Sequence, residues 1–216
     1  MVLLLPFGQS AWRPLLRYGA RYLSSLTAPN EDVSVHLREL MRNVAQPVAI
    51  AVTSNPATSS FHGVTLSSFT SLTLHPHPLV AFSLRLPSRM ADYIRPPRSR
   101  LTVSLLSSTN EAMAETLANP LTDQESVFSS SEWEISSPSS FPPGLRDAIG
   151  LLRCEVINSV PLRDMVEERE NQETIGEKTQ GSELFICRVE KVEFGDADRD
   201  SLLHFRRKYI AVSDTG

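Results

Sequence analysis

Cysteine is scarce: only Cys154 and Cys187 occur in 216 residues. Two cysteines make no disulfide framework, and neither stands in a metal-ligand spacing. Each sits in a strand-like apolar run, so both read as buried free thiols. Long hydrophobic runs are missing as well. A membrane-crossing helix needs about 20 consecutive apolar residues, and no such run exists. The body of the chain lacks basic clusters interleaved with aromatics, and with a formal net charge of -4 no nucleic-acid partner is expected. A phosphate-binding P-loop, a Rossmann glycine pattern and a nucleophile elbow are absent too. What is left has ordinary globular proportions, 41% hydrophobic and 21% charged, and its length suits one domain with a sizeable core.

Acid is missing from the first 30 residues. Met1 to Phe7 is apolar, Arg13, Arg17 and Arg21 follow at four-residue spacing, and the first carboxylate is Glu31. A basic amphipathic helix without acids is transit-peptide chemistry, whereas a secretory signal places its charge ahead of a longer apolar stretch. The pattern predicts a mitochondrial transit peptide over 1–27, delivery to the matrix, and a globular domain over 28–216. Without those three arginines the 21 basic side chains fall to 18 against 25 acidic ones. Any anion site in the body must therefore be local.

Val33, Leu37, Leu40, Met41 and Val44 recur at helical spacing behind a candidate cap, Asn30, and Pro47 ends the pattern. Strand-like apolar runs follow at 48–53, 64–66, 79–84, 101–106 and 151–157. Two short helices are predicted between them. One opens at Ser88 with Met90 and Ile94 inward, and the other spans 110–117 with Met113 and Leu117 inward. The Ser- and Pro-rich stretch 122–143 reads as a surface excursion anchored by Phe128 and Trp133. Phe185, Cys187 and Val189 alternate until the apolar parity switches to Val192 and Phe194, which requires an extra residue; a β-bulge is predicted near Glu190 and Lys191. The highly charged segment 163–178 reads as a solvated hairpin or loop. Short strands with little helix between them predict an antiparallel barrel rather than a βαβ sheet.

The segment most suggestive of chemistry is GVTLSSFTSLTLHPHPLVAFSL, starting at Gly63. It crowds hydroxyls between two strands, and its glycine lets the backbone approach something closely. Backbone N–H and side-chain O–H groups in such a bend suit a phosphate or a polar ring, although a plain polar loop has the same composition. His75 and His77 flank Pro76 with no third ligand near in sequence, which favours a loop role over metal. His36 lies on the polar face of the first helix.

The order of these pieces (PVAIAVT, the GVTLSSF segment with its downstream PLVAFSL strand, PSRM, LTVSLLSS, LLRCEV, GSELFICRVEKVEF and a closing LLHF) resembles the flavin reductase-like family over about residues 35–210. The resemblance implies a mainly β fold, the FMN-binding split β-barrel, Greek-key-like, with short peripheral helices. It implies FMN as cofactor, with FAD as the alternative, and NADH or NADPH as reductant. Thr65, Leu66, Ser67 and Ser68 match family positions that contact the isoalloxazine ring and ribityl chain. Ser83, Leu84 and Arg85 match the strand end beside the flavin, and Ser88 with Arg89 matches a turn near the phosphate. The resemblance further implies a homodimer that completes the flavin cleft, and a partner oxygenase or other acceptor for the electrons.

One departure stands out. Many members carry Gly-Asp-His where this chain has Gly181-Ser182-Glu183, and that histidine is associated with the nicotinamide side of the flavin. A carboxylate beside a reduced, anionic flavin is unfavourable unless protonated or turned to water. Glu183 is therefore either peripheral or a mark of altered chemistry. Two readings follow: an NAD(P)H-dependent flavin reductase-like enzyme transferring hydride from a nicotinamide to flavin, and a non-catalytic FMN-binding or interaction module on the same barrel.

Overall fold

The run from Val48 to Val52 shows how the core is organised, because its alternate residues enter two separate apolar clusters. In the computed structural model, which describes residues 31–134, 140–163, 165, 181–196 and 198–212, Val48 leads into strand β2 (Ala49–Ser54), where Ala49, Ile50, Ala51 and Val52 are fully buried. Side chains alternate across a strand. Ala49 and Ala51 face Leu101, Val103, Phe82 and Phe185, where small residues leave room for the stacked phenylalanines at 5.8 Å. Val48, Ile50 and Val52 face Ala114, Leu117, Trp133 and Leu145 on the other side. Each fully buried aliphatic contributes about 1.5–3 kcal/mol of burial free energy.

The chain divides into units 1–41 and 42–216. The first contributes most of helix α1 (Glu31–Arg42), as the 3.6-residue spacing predicts. Asn30 and the whole 1–27 segment lie outside the described residues, as does nearly all of 163–178.

The second unit is antiparallel β. After β1 (Gln46–Pro47) and β2 come β3 (Phe61–Leu66), β4 (Thr70–Thr73), β5 (Leu79–Leu86), helix α2 (Arg89–Ile94), β6 (Arg100–Leu105), helices α3 (Glu111–Ala118) and α4 (Gln124–Phe128), and the short β7 (Trp133–Glu134) and β8 (Gly144–Leu145). The long β9 (Gly150–Pro161) and β10 (Gly181–Phe194) follow, then β11 (Ser201–Phe205) and β12 (Lys208–Val212). Seven strands form one curled antiparallel sheet in the order β3-β2-β6-β9-β10-β5-β4, with β1-β11-β12 as a second sheet. The two meet at Val48, whose N–H donates to the Leu202 carbonyl while its own carbonyl accepts from Leu106. This is the split-barrel architecture.

The predicted bulge is present. Val189 pairs with Cys154 and Lys191 with Arg153, leaving Glu190 as the extra residue. A second register shift between Ile186 and Cys187 leaves Ile157 unpaired on β9. Bulges of this kind bend a strand and let a sheet curl. Cys154 and Cys187 are both free and buried, and burial pushes the Cys154 thiol up to about 12 and Cys187 higher still. Neither is a reactive thiolate.

The described parts of the 122–143 excursion, 122–134 and 140–143, are more structured than their composition suggests. Phe128 lies 4.4 Å from Trp133 and 5.8 Å from Phe61, ring centre to ring centre, so the expected anchors do hold it. Its far end is tied down by Arg153. This guanidinium is 2% exposed and donates to the Pro142 carbonyl, to Thr102 and, as a fork, to both oxygens of Glu193. A buried arginine needs such partners.

Candidate functional site

The ends of β3 and β5 and the start of α2 border one cleft of about 720 Å3, within the usual 300–1,000 Å3 range of small-molecule sites. All nine binding residues expected from the sequence line it: Thr65, Leu66, Ser67, Ser68, Ser83, Leu84, Arg85, Ser88 and Arg89. They come from three chain segments brought together by strand pairing.

Their roles differ. The Thr65 hydroxyl donates to the Ala114 carbonyl at 2.7 Å and so fastens α3 onto β3. Ser68 and Ser83 make a reciprocal pair, the Ser68 hydroxyl donating to the Ser83 carbonyl and accepting from the Ser83 N–H, both at 3.0 Å. This joins the GVTLSS bend to β5. Leu66 and Leu84 border the cleft, yet both belong to the interior core. Ser88 is extended and caps α2, accepting the Ala91 N–H at 3.2 Å. Arg85 and Arg89 are exposed and form no salt bridge among the described residues. These two guanidiniums, without a salt-bridge partner among the described residues, give the cleft a local positive charge on an acidic protein.

Gly63 has a different purpose from the one expected of it. A β-carbon there would stand 3.0 Å from Phe128 and 3.1 Å from Leu117. The close approach is made by core side chains that seat α3 and α4 beside the cleft.

Glu183 does not enter the cleft. It pairs with Leu84 across β10 and β5, while Ser182 pairs with Arg85. Ser182 lines the cavity, whereas Glu183 does not and is 2% exposed. Arg95 grips it, Nε donating to both carboxylate oxygens at 3.2 Å and a terminal nitrogen to Oε2 at 2.8 Å. Burial works to raise the Glu183 carboxyl, but hydrogen bonds from Arg95 and Ser159 and the Arg95 charge outweigh it and hold the group below the ordinary carboxylate range. This placement favours the peripheral reading of Glu183.

Sequence reasoning missed His62, Asn119 and Gln124, which also border the cleft. Gln124 accepts the Gly63 N–H at 2.9 Å across 61 residues. No spacing rule links two such positions. His62 is half-buried, and burial, with the Arg89 charge adding to it, holds its imidazole below the ordinary value. The ring is neutral at neutral pH.

Comparison with known proteins agrees with this fold. The family model described as "Flavin reductase like domain" matches residues 41–213. The NADH:FAD oxidoreductase SgcE6 of Streptomyces globisporus C-1027, solved in complex with NAD and FAD fragments, superposes with a TM-score of 0.67 at 20% identity, covering 89% of this chain and 99% of that one. The styrene monooxygenase flavin reductase of Pseudomonas putida S12 gives 0.61 at 24% identity, over 82% and 97% of the two chains. BorF, the flavin reductase component of a bacterial two-component tryptophan halogenase, gives 0.64 at 20% identity over 84% and 99%.

Proposed function

The chain belongs to the flavin reductase-like family, and on that premise we propose that it is an oxidoreductase that binds FMN in the 720 Å3 cleft and reduces it with NADH or NADPH. The observation carrying this reading is the convergence of nine expected residues on one cavity, two of them the arginines Arg85 and Arg89.

The cleft's chemistry fits a flavin. The bend at Ser67 and Ser68 presents hydroxyls and backbone amides to a polar ring and its polyol chain. Arg85 and Arg89 supply the charge that a phosphate needs. The hydride chemistry itself belongs to the flavin, and the protein supplies binding, orientation and electrostatics. Ser68 and Ser83, locked to each other, hold the wall in one arrangement, which lowers the ordering cost of binding. The pairing of buried Glu183 with Arg95 supports the reductase reading, since the carboxylate is held away from the cleft, while the family's histidine is still missing from Gly181-Ser182-Glu183.

We further propose a homodimer. Leu72, Leu74 and Phe194 leave large apolar surfaces exposed, Phe194 at 93%, and such surface favours association. Import into the mitochondrial matrix through 1–27, and delivery of electrons to a partner oxygenase or another acceptor, complete the reading.

The test is titration of the purified chain with FMN, followed by flavin fluorescence, and then anaerobic addition of each nicotinamide while the flavin band is watched. Binding at micromolar FMN and bleaching of the band are expected. Folded protein that leaves micromolar FMN free refutes the binding claim, and bound flavin that neither nicotinamide bleaches refutes the reductase claim.

A further inference from the structure

A pocket of about 300 Å3 lies where the end of β2, the start of β6 and the far end of the excursion meet, and it contains none of the nine cleft residues expected from the sequence. Its form follows from the alternation of β6. Leu101 and Val103 turn to the core cluster, so Arg100, Thr102 and Ser104 take the other face. All three reach the 140–145 stretch. Arg100 donates to the Ser140 carbonyl at 3.4 Å, Thr102 donates to the Pro142 carbonyl at 2.6 Å, and Ser104 accepts the Leu145 N–H at 3.0 Å. Thr102 and Ser104 are buried and fully engaged in holding that stretch, whereas Arg100 stands at the open end of the row and is exposed.

Arg100 keeps most of its bonding capacity. The long bond to Ser140 uses one of the five guanidinium N–H groups. Glu155, its cross-strand neighbour on β9, pairs with Arg188 at 3.5 Å instead, so Arg100 has no salt-bridge partner among the described residues. The Phe141 ring lies against the guanidinium, 5.1 Å from Cζ to the ring centre, and Phe61 and Tyr93 add two further rings to the lining. An arginine stacked on a ring presents its N–H fork edge-on, the geometry that grips a carboxylate through two parallel bonds.

The remaining walls are fixed by bonds of their own. The Thr53 hydroxyl donates to the Arg100 carbonyl at 3.0 Å, which ties the end of β2 to β6. Asn55 Nδ2 donates to the Tyr93 hydroxyl at 3.3 Å, and the Ser99 hydroxyl donates to the Pro96 carbonyl at 2.7 Å. A volume of 300 Å3 is the lower end of the range for small-molecule sites, which suits a ligand of one or two rings. An inorganic anion would meet Arg100 and leave three rings without a partner. A neutral aromatic would cover the rings and leave the charge unmet. A planar aromatic acid satisfies both, its ring on the aromatic walls and its carboxylate on the fork. We infer that this pocket is a binding site for a small aromatic carboxylate. The inference does not depend on what the larger cleft binds.

The experiment is calorimetric titration of the full chain with benzoate, with its neutral counterpart benzamide and with inorganic phosphate. Benzoate should bind at least about tenfold more tightly than either of the others. Arg100→Gln should bring benzoate down to the affinity of benzamide. Ser54 also lines the pocket, so Ser54→Phe fills it while leaving Arg100 in place, and it should abolish binding of benzoate and benzamide alike. Arg89→Gln removes a cation from the larger cleft and should leave benzoate affinity within about twofold. Folded protein that ignores millimolar benzoate, or that binds benzamide or phosphate equally well, overturns the inference. So does a loss of benzoate affinity that follows Arg89→Gln rather than Arg100→Gln, or binding that survives Ser54→Phe.

Discussion

Removing Arg95 should destabilise the protein far more than neutralising Glu183, although the two form one ion pair. The pair is unequal: the Glu183 side chain is 3% exposed and that of Arg95 is 44% exposed. Two unit charges about 4 Å apart attract by about 4 kcal/mol at an effective dielectric near 20, but water reaching the guanidinium screens part of this. Arg95→Met strands a carboxylate in the core with Ser159 as its remaining support, and losses for such broken buried pairs run about 3–5 kcal/mol. The lower end is expected here because solvent is close. In Glu183→Gln the stranded group is instead an arginine already half in water and still bonded to Asp92 at 2.8 Å, so the loss should be about 1 kcal/mol. Urea unfolding of the full chain at neutral pH measures both. The pH dependence follows from the depressed Glu183 carboxyl: its contribution is complete above the unfolded carboxyl value, about 4.3, and is lost as pH falls through the lower folded value. The stability gap between wild type and Arg95→Met should therefore narrow in acid. Because Glu183 does not line the cleft, FMN affinity should stay within about twofold for Glu183→Gln, and Glu183→His should bring no faster flavin reduction. Equal small losses for the two substitutions, or faster bleaching with Glu183→His, would refute the placement of this carboxylate.

Glu193→Gln removes the charge that accepts two hydrogen bonds from Arg153, 2% exposed, and chemical denaturation should register a loss of about 3 kcal/mol. The Glu193 carboxyl is held low by hydrogen bonds from Arg153 and Lys191, so the wild-type protein should also lose this contribution below the ordinary carboxylate range, and the substituted protein should not. A fusion of residues 1–30 to a fluorescent reporter should enter mitochondria, and replacing Arg13, Arg17 and Arg21 with Glu should leave it in the cytosol; a cytosolic wild-type fusion contradicts the proposed address. Light scattering of the purified chain should give twice the mass of one chain, and a single-chain mass over a wide concentration range would refute the dimer.

Elements whose sequence has a clear period were legible. β2, β5, β6, β9 and β10 carry β-branched and apolar residues in runs that only a strand buries, and even the bulge at Glu190 followed from a change of parity. The edge strand β4 was not, since its hydroxyls serve a loop equally well. The β11–β12 hairpin shows a different failure. Its turn is made by Arg206 and Arg207, at φ of 50° and 65°, where glycine or asparagine is usual. The Arg206 N–H donates to the Arg42 carbonyl and its guanidinium to Asn43 at 3.1 Å. These long-range bonds offset a local cost of about 1 kcal/mol or more per residue, and no local reading could anticipate them.

The candidate site divides along the same line, and Glu183 shows why. Residues matched by the family pattern fell around one cleft because a match in order fixes where each strand ends. The match does not fix which face a side chain takes. Along β10 that face alternates at every residue, so Ser182 opens to the cavity beside Arg85 while Glu183, one step on, is buried beside Leu84. A shift of one residue exchanges the two. The register is held from both sides, by β5 at Leu84 and by β9 at Pro161, and neither strand is near Glu183 in sequence. A carboxylate that looked like a change of chemistry is therefore better explained as the partner of Arg95, anchoring the end of the helix whose beginning carries Ser88 and Arg89.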